Sequence, residues 1–233
     1  MIRLSKLIIT KMQINGKLCT VCAHVQDQKV VEIHLKPVGV TTALNNIYVG
    51  QVEKIAANIQ AAFVRLGQDF NGYLPLNQAD QAIYTDGRKK ESALRPGDEI
   101  LVQISREAMK GKLPALTTNL NFSGKYLVLT SGNQKIGFSN KLSKEECRIL
   151  NNWLEEERND EDRTYGIIVR TNSAEASKEE FFRELDMLKK QYEKTVVFGR
   201  SRTCFSLLYE SEPFYLTAVR NTYTKELEEI VTD

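Results

Sequence analysis

Four short runs rich in β-branched and aromatic residues follow one another in the chain: Ile47-Tyr-Val-Gly-Gln-Val52, Ala61-Ala-Phe-Val-Arg-Leu66, Gly72-Tyr-Leu-Pro-Leu76 and Glu99-Ile-Leu-Val-Gln-Ile-Ser105. Turn-forming residues separate them, among them Gly67 and the pair Pro96-Gly97. Runs of this length between turn residues are typical of β-strands. Four or five strands within about seventy residues predict a small closed or nearly closed β-barrel.

The segment before this barrel is predicted to form strands, and the segment after it is predicted to form strands and helices. The predicted strands of the flanks are 8–14, 18–25, 30–35, 125–130, 135–138, 165–170, 195–198 and 204–209. Asn15-Gly16 is a strong turn signal, and Gln26-Asp-Gln-Lys29 predicts a second hairpin. Segments 125–130 and 135–138 are predicted to pair as a further hairpin.

Two helices are predicted by capping boxes. Ser143 and Ser177 each precede a glutamate by three residues, at Glu146 and Glu180. Apolar residues then recur at helical spacing, namely Cys147, Leu150 and Leu154 in one helix and Phe181, Leu185, Leu188 and Tyr192 in the other. A third helix is predicted from about residue 213 to 221. These elements place the chain in the α+β class.

The composition excludes several classes of protein. Hydrophobic residues make up 42% and charged residues 27% of the 233 positions, which excludes wholesale disorder. The net charge of +2, from 32 basic and 30 acidic residues, excludes a polybasic tail protein, so any nucleic-acid contact must come from local clustering of charge. No run is apolar enough for a membrane span or a signal peptide, and we expect a cytoplasmic protein.

The cysteines and histidines give weak support for metal binding or nucleophilic catalysis. Cys19 and Cys22 match the C-x-x-C spacing, but their surroundings predict a strand, in which positions i and i+3 face opposite sides. Buried strand thiols are therefore favoured over a zinc site. The chain has two histidines, His24 and His34, in the same hairpin, which leaves little for a catalytic triad.

The predicted barrel has the features of a platform for single-stranded nucleic acid. Phe63 and Tyr73 lie on adjacent predicted strands, and either ring is suited to stack on a base. The neighbouring cations available for phosphate contacts are Lys54, Arg65, Lys110 and Lys112. The alternative is that both rings belong to the barrel core; the pattern of the barrel favours at least one exposed ring.

Eight strings in register give the sequence a resemblance to the bacterial ribonuclease E/G family. They are Asn46-Ile-Tyr-Val-Gly-Gln-Val52, Ile59-Gln-Ala-Ala-Phe-Val64, Gly72-Tyr-Leu-Pro75, Arg95-Pro-Gly-Asp-Glu-Ile-Leu-Val-Gln103, Leu116-Thr-Thr118, Gly124-Lys-Tyr-Leu-Val-Leu129, Ile136-Gly-Phe-Ser139 and Gly166-Ile-Ile-Val-Arg-Thr171. The similarity is close from about residue 46 to 172 and looser but collinear at both ends.

The resemblance implies an arrangement of subdomains. Residues 1–45 and 199–233 would form a ribonuclease-H-like unit. An OB-fold barrel of the ribosomal-protein-S-one type, residues 46–118, and a small α/β sensor of the RNA 5′ end, residues 119–198, would be inserted in it. In the family, the ribonuclease-H-like unit is a scaffold without the ancestral metal site.

The resemblance also implies the site residues. Phe63 and Tyr73 match the aromatic residues that stack on RNA, and Lys112 corresponds to a lysine of the RNA channel. Four positions match the residues that grip a 5′-monophosphate and approach the terminal nucleotide: Gly124, Val128, Arg170 and Thr171. The alternative for Arg170 is a surface salt bridge, with the acidic run Glu155 to Asp162 as a candidate partner.

One position departs from the family pattern. The family has an arginine pair after Gly-x-Ser, where this chain has Asn140-Lys141 after Gly137-Phe-Ser139. Asn140 replaces an arginine that contacts the nucleotide. Since a lysine does not reproduce the planar fork of an arginine, Lys141 supplies charge only. We therefore expect a 5′ sensor with an altered grip.

The function implied is single-stranded RNA binding and 5′-monophosphate sensing within an endoribonuclease of mRNA decay and rRNA processing. In the family, a Mg²⁺-dependent catalytic domain follows the segment seen here, so we expect no catalytic or metal residues in this chain and no nuclease activity from it alone. The alternative is a stand-alone RNA-binding adaptor, and a weaker one is cleavage through stray carboxylates. We expect a monomer or weak dimer for the fragment and a homo-oligomer for a full-length protein.

Overall fold

The computed structural model describes residues 5–39, 43–87, 93–109, 111–156, 164–222 and 227–233. Its contacts divide the chain into two units, Met1–Thr42 with Glu212–Asp233, and Ala43–Ser211. Lys110, the basic residues 88–90 and residues 157–162 of the acidic run lie outside the described residues.

The first unit joins the two ends of the chain in one four-stranded sheet. Its elements are β1 (Ser5–Ile14), β2 (Lys17–Gln26), β3 (Lys29–Pro37), α3 (Phe214–Asn221) and β14 (Leu227–Thr232). The strand order is β14-β1-β2-β3, with β14 parallel to β1 and the other pairs antiparallel. Asn15 and Gly16 both have positive φ, of 48° and 74°, as a two-residue hairpin turn requires. Both predicted hairpins are confirmed.

Cys19 and Cys22 are buried free thiols on β2, as the strand pattern predicted. Burial raises the pKa of the Cys22 thiol, and the Glu32 carboxylate raises it further. Among the described residues, no group of three His, Cys, Asp or Glu side chains is placed to hold a metal ion. The prediction of buried strand thiols at Cys19 and Cys22 is therefore confirmed, while the absence of a zinc site stays a prediction.

The second unit begins with the predicted barrel. Its strands are β4 (Ile47–Ala56), β5 (Ala61–Arg65), β6 (Asn71–Pro75), β7 (Glu99–Arg106) and β8 (Ala115–Thr117). Neighbours pair in the order β4-β5-β6-β8-β7, and β7 pairs with β4, so the sheet closes on itself. All pairs are antiparallel except β6 with β8. A closed five-stranded barrel is consistent with an OB-fold-like architecture.

The interior of the barrel is filled by alternate residues of each strand. Ala62, Val64 and Leu74 are fully buried, whereas residues 63, 65 and 73 between them point outward. The interior is tight: a Cβ at Gly72 would lie 2.5 Å from Leu116 Cδ1.

The remaining elements of the second unit form an α/β layer. They are β9 (Asn121–Ser123), β10 (Leu127–Thr130), β11 (Ile136–Phe138), α1 (Lys144–Glu156), β12 (Gly166–Val169), α2 (Lys178–Ser201) and β13 (Leu207–Tyr209). Short 3₁₀ helices span Ala57–Ile59, Leu76–Gln78 and Thr171–Glu175. The sheet order is β11-β12-β10-β9, and β13 pairs with β4 of the barrel. Both capping boxes are formed, at Ser143 with Glu146 and at Ser177 with Glu180.

The predicted hairpin of segments 125–130 and 135–138 is wrong. β11 and β10 do not pair; β12 lies between them, parallel to β11 and antiparallel to β10. The residues that follow β10 are hydrogen-bonded to the segment before β9 instead. Ser131 N–H donates to the Leu120 carbonyl at 2.9 Å, and Gly132 N–H donates to Asn119 Oδ1 at 2.7 Å.

The predicted strand at 195–198 is also wrong, since these residues belong to α2. Thr195-Val-Val197 has a strand-like composition, but Thr195 and Gly199 continue the buried stripe of Leu188 and Tyr192 at helical spacing. The Thr195 hydroxyl donates to the Gln191 carbonyl at 2.8 Å, which satisfies it within the helix. Tertiary packing overrides the local propensity here.

The α+β class and the barrel are confirmed. The subdomain boundaries and the ribonuclease-H-like identity of the first unit stay predictions; residues 199–211 lie in the same unit as the barrel. Among the described residues, no helix is long and apolar enough to cross a membrane.

Candidate nucleic-acid interface

Phe63 and Tyr73 form a cross-strand pair on the outside of the barrel. They are directly opposite each other on β5 and β6, with ring centroids 6.3 Å apart and ring planes at 74°. Both side chains are half-buried, while their neighbours Ala62 and Leu74 fill the interior. The alternative that both rings belong to the core is therefore wrong, and two aromatic side chains are presented side by side.

One cation lies in the same row of the sheet as this aromatic pair, and a second lies in the segment that leads to β8. Exposed Lys54 lies opposite Phe63 on β4, beyond a register shift in that strand, and Ala115 lies beside Tyr73 on β8. Exposed Lys112 precedes β8, and the nearby Pro114 carbonyl accepts the Tyr73 N–H at 2.8 Å. The structure therefore brings the segment that carries Lys112 to the strand that carries Tyr73.

Arg65 shares the outer face of β5 but is held by other residues. It donates to Gln51 Oε1 at 2.7 Å, and its Nε lies 3.5 Å from Glu53 Oε1. Its guanidinium lies 4.7 Å from the centroid of the Phe205 ring. This cation–π contact joins the barrel to the segment that follows α2.

Arg170 and Gly124, two of the predicted sensor residues, are in direct contact. Arg170 follows β12, its N–H donates to the Tyr126 carbonyl at 2.8 Å, and its Nη1 donates to the Gly124 carbonyl at 2.5 Å. The guanidinium is thereby fixed beside the loop between β9 and β10. The acidic run proposed as an alternative partner lies mostly outside the described residues.

Glu184 organises this loop, and sequence reasoning missed it. Its carboxylate accepts three consecutive backbone N–H groups, those of Lys125, Tyr126 and Leu127, at 2.7, 2.7 and 2.8 Å. A Cβ at position 124 would lie 2.3 Å from the Glu184 carboxyl, so the close approach requires glycine there. The sequence contained one signal for this role: Glu184 follows buried Phe181 by three residues, so its carboxylate lies at the edge of the apolar face of the helix.

Thr171 is hydrogen-bonded to Ser139, whereas Val128 lies within the sheet on β10. The Thr171 and Ser139 hydroxyls lie 2.9 Å apart, so the residue before Asn140 contacts the predicted phosphate-binding pair. Val128 is opposite Ile168, which is opposite Gly137, in a row across three strands. Asn140 and Lys141 are exposed next to Ser139.

Comparison with known proteins supports one family. Residues 121–233 match the model of the Ribonuclease E/G family. Ribonuclease E of Escherichia coli is 28% identical over 218 residues, which cover 91% of this chain and 20% of that protein. Ribonuclease E of Haemophilus influenzae is 28% identical over 218 residues, covering 91% and 23%, and the ribonuclease E/G-like protein of Pyropia yezoensis is 28% identical over 219 residues, covering 91% and 40%.

The chain is similar to proteins of the ribonuclease E/G family, as the motif resemblance indicated. It spans between 20% and 24% of the length of the first three ribonucleases E that it matches. The activity, substrates and partners of the whole relatives are therefore carried to this chain only as proposals.

Proposed function

We propose that this chain binds single-stranded RNA on the outer face of its barrel and senses a 5′-monophosphate at Arg170 and Thr171. One observation carries the proposal: Phe63 and Tyr73 point away from the barrel core as adjacent rings, next to Lys54. Base–aromatic stacking contributes about 1–3 kcal/mol per base and needs no particular sequence.

The second part of the proposal is supported by the surroundings of Arg170. A phosphate is best bound by a planar guanidinium together with hydroxyl or backbone N–H donors in a confined site. Arg170 donates to the Gly124 carbonyl, and the hydroxyls of Thr171 and Ser139 contact each other; Arg170 and Thr171 follow the C-terminal end of β12, and Ser139 follows that of β11. These groups are the donor set that a terminal phosphate requires.

The test is binding of short single-stranded RNA with either a 5′-monophosphate or a 5′-hydroxyl, measured by fluorescence anisotropy at two salt concentrations with Mg²⁺ present. We expect both RNAs to bind, with affinity falling as salt rises, and the monophosphate to bind more tightly. Equal binding of both ends would reject the sensor and leave the RNA platform. No binding of either RNA would reject the whole proposal.

We propose that this chain acts within an endoribonuclease of mRNA decay and rRNA processing, in the cytoplasm and as a homo-oligomer. Mg²⁺ would activate a water there and stabilise the phosphoryl transition state. The described residues of this chain hold no cluster of metal-ligating side chains, and we assign the Mg²⁺ to none of them.

A further inference from the structure

One ridge of α2 carries cations and an aromatic ring. Lys190, Lys194, Phe198 and Arg202 recur every fourth residue, so they lie one above another along the helix and its C-cap. All four are exposed. Lys194 Nζ and the Arg202 guanidinium lie 5.6 and 5.7 Å from the centroid of the Phe198 ring, which is 40% exposed.

This half of the helix is unusually basic for the chain. Residues 189–202 contain five basic side chains and one acidic side chain, a net charge of +4, whereas the whole chain has a net charge of +2. Cations in the last turn of a helix are explained by their favourable interaction with the helix dipole. Lys190 and Lys194 lie before the last turn of α2, so the dipole does not explain them. None of the salt bridges formed within the described residues involves Lys190, Lys194 or Arg202.

α2 packs on the rest of the unit through the residues of its other face, and the ridge residues are not among those that are buried. The buried side chains are Phe181, Leu185, Leu188, Tyr192 and Thr195. Phe198 adds nothing to this buried set, although phenylalanine is among the residues most often buried. The ring of Phe198 between its two cations is therefore available at the surface and is not part of the core.

The ridge leads to the aromatic face of the barrel. At its C-terminal end, Gly199 packs so closely on Leu101 that a Cβ there would lie 2.6 Å from Leu101 Cδ2. The chain then turns, and Phe205 N–H donates to the Val49 carbonyl at 2.7 Å. Arg65 covers the Phe205 ring, and Phe63 lies two residues from Arg65 on the same face of β5.

At its other end the ridge reaches the sensor loop. Lys190 lines a cavity of about 600 Å³ together with Tyr126 and Glu184. Lys125 Nζ lies 5.1 Å from the centroid of the Tyr126 ring, and the Tyr126 carbonyl accepts the Arg170 N–H. Cation–ring contacts therefore occur at the barrel end of the ridge, within the ridge and at the sensor loop.

We infer that the ridge of Lys190, Lys194, Phe198 and Arg202 is a second contact surface for single-stranded RNA, which guides the strand between the barrel and the sensor loop. The net charge of +4 complements a polyanion, and a ring flanked by cations suits a base with phosphates on either side. The inference rests on the proposed function, since it assumes that the barrel binds RNA.

The test compares two double variants of the full chain with the same change of charge. K190E/K194E reverses the ridge, and K144E/R148E reverses two exposed cations on α1. The RNA has about 20 nucleotides, which is longer than the 4–16 that one OB fold occupies. We expect the ridge variant to bind it about tenfold more weakly at low salt. The slope of log K against log salt concentration should become shallower by about 1.4, since two phosphate contacts are lost. The α1 variant should change affinity by less than about twofold, because salt screens the interaction of RNA with charges that it does not contact directly.

The aromatic ring is tested by Phe198→Ala with Phe198→Leu as the variant that keeps apolar bulk. We expect a loss of about fivefold or more for Phe198→Ala on the long RNA, with no change for an RNA of about five nucleotides that occupies the barrel alone. Circular dichroism checks that each variant is folded. In the unmodified chain, photo-crosslinking of thiouridine RNA should label the peptide containing Phe198.

The outcomes separate this inference from the proposed function. If the wild-type chain binds long RNA but both double variants weaken binding equally, or if no crosslink forms on α2, the ridge is not an RNA contact. If the Phe63→Ala variant keeps full affinity for five-nucleotide RNA, the barrel proposal fails, and the ridge inference fails with it.

Discussion

The barrel face and the sensor face present their candidate RNA contacts in different ways. On the barrel, Phe63 and Tyr73 are placed by strand register alone, as outward residues of an ordinary antiparallel pair. At the sensor, Arg170 is placed by hydrogen bonds to the Gly124 and Tyr126 carbonyls, and that loop is in turn held by Glu184. The barrel should therefore lose function only through its contact residues, and the sensor also through residues that touch no RNA.

The largest effect is expected from Glu184→Ala. The change removes the acceptor of three backbone N–H groups, so we expect the free energy of unfolding to fall by about 3 kcal/mol. Urea denaturation measures this. Glu193→Ala, on an exposed position of the same helix, should change stability by less than about 0.5 kcal/mol.

The same variant tests the contrast between the two faces. We expect Glu184→Ala to lose the preference for a 5′-monophosphate while keeping its affinity for 5′-hydroxyl RNA, because the barrel is built on separate strands. An equal loss for both RNAs, in a chain that circular dichroism shows to be folded, would mean that the loop supports the whole RNA surface and that the contrast does not hold.

The next effect is expected from Arg170→Ala. Hydrogen bonds to a charged group are worth about 1.5–3 kcal/mol, so the affinity for 5′-monophosphate RNA should fall about thirtyfold with little change for 5′-hydroxyl RNA. Arg170→Lys keeps the charge but not the planar fork and should recover only part of the loss. Anisotropy with the two RNAs provides the measurement, and equal weakening of both would assign Arg170 a structural role.

A smaller effect, independent of the 5′ group, is expected on the barrel. Phe63→Ala and Tyr73→Ala should each weaken binding by about 1.5 kcal/mol, roughly tenfold, for every RNA sequence. Tyr73→Phe keeps the ring and should bind like the wild type. A loss confined to 5′-monophosphate RNA would contradict the assignment of these rings to a general platform.

The barrel was predictable from the sequence because its strands follow a local alternation. Ala62 and Val64 are buried and Phe63 between them points outward, a pattern with a period of two residues. Glu184 was not predictable in this way, since its partners at 125–127 lie 57 to 59 residues earlier in the chain. The error at 195–198 has a similar origin, because the packing of Gly199 on Leu101 extends the helix through β-branched residues.

The smallest effect is expected at the position where the sequence departs from the family. Asn140 is exposed and follows Ser139, whose hydroxyl lies 2.9 Å from that of Thr171. Asn140→Arg therefore adds a guanidinium at the edge of the proposed phosphate site, where solvent screening limits its contribution to about 0.5–1 kcal/mol. The affinity for 5′-monophosphate RNA should rise about threefold, with no gain for 5′-hydroxyl RNA.

Asn140→Lys is the matched control, since it adds the same charge without the fork. If the site recognises phosphate by geometry, the arginine variant should exceed the lysine variant in the ratio of the two dissociation constants. Equal gains for both RNAs in both variants would instead show that position 140 acts by general electrostatic attraction. The sensor face would then resemble the barrel in depending on exposed side chains, and the contrast between the two regions would rest on Glu184 alone.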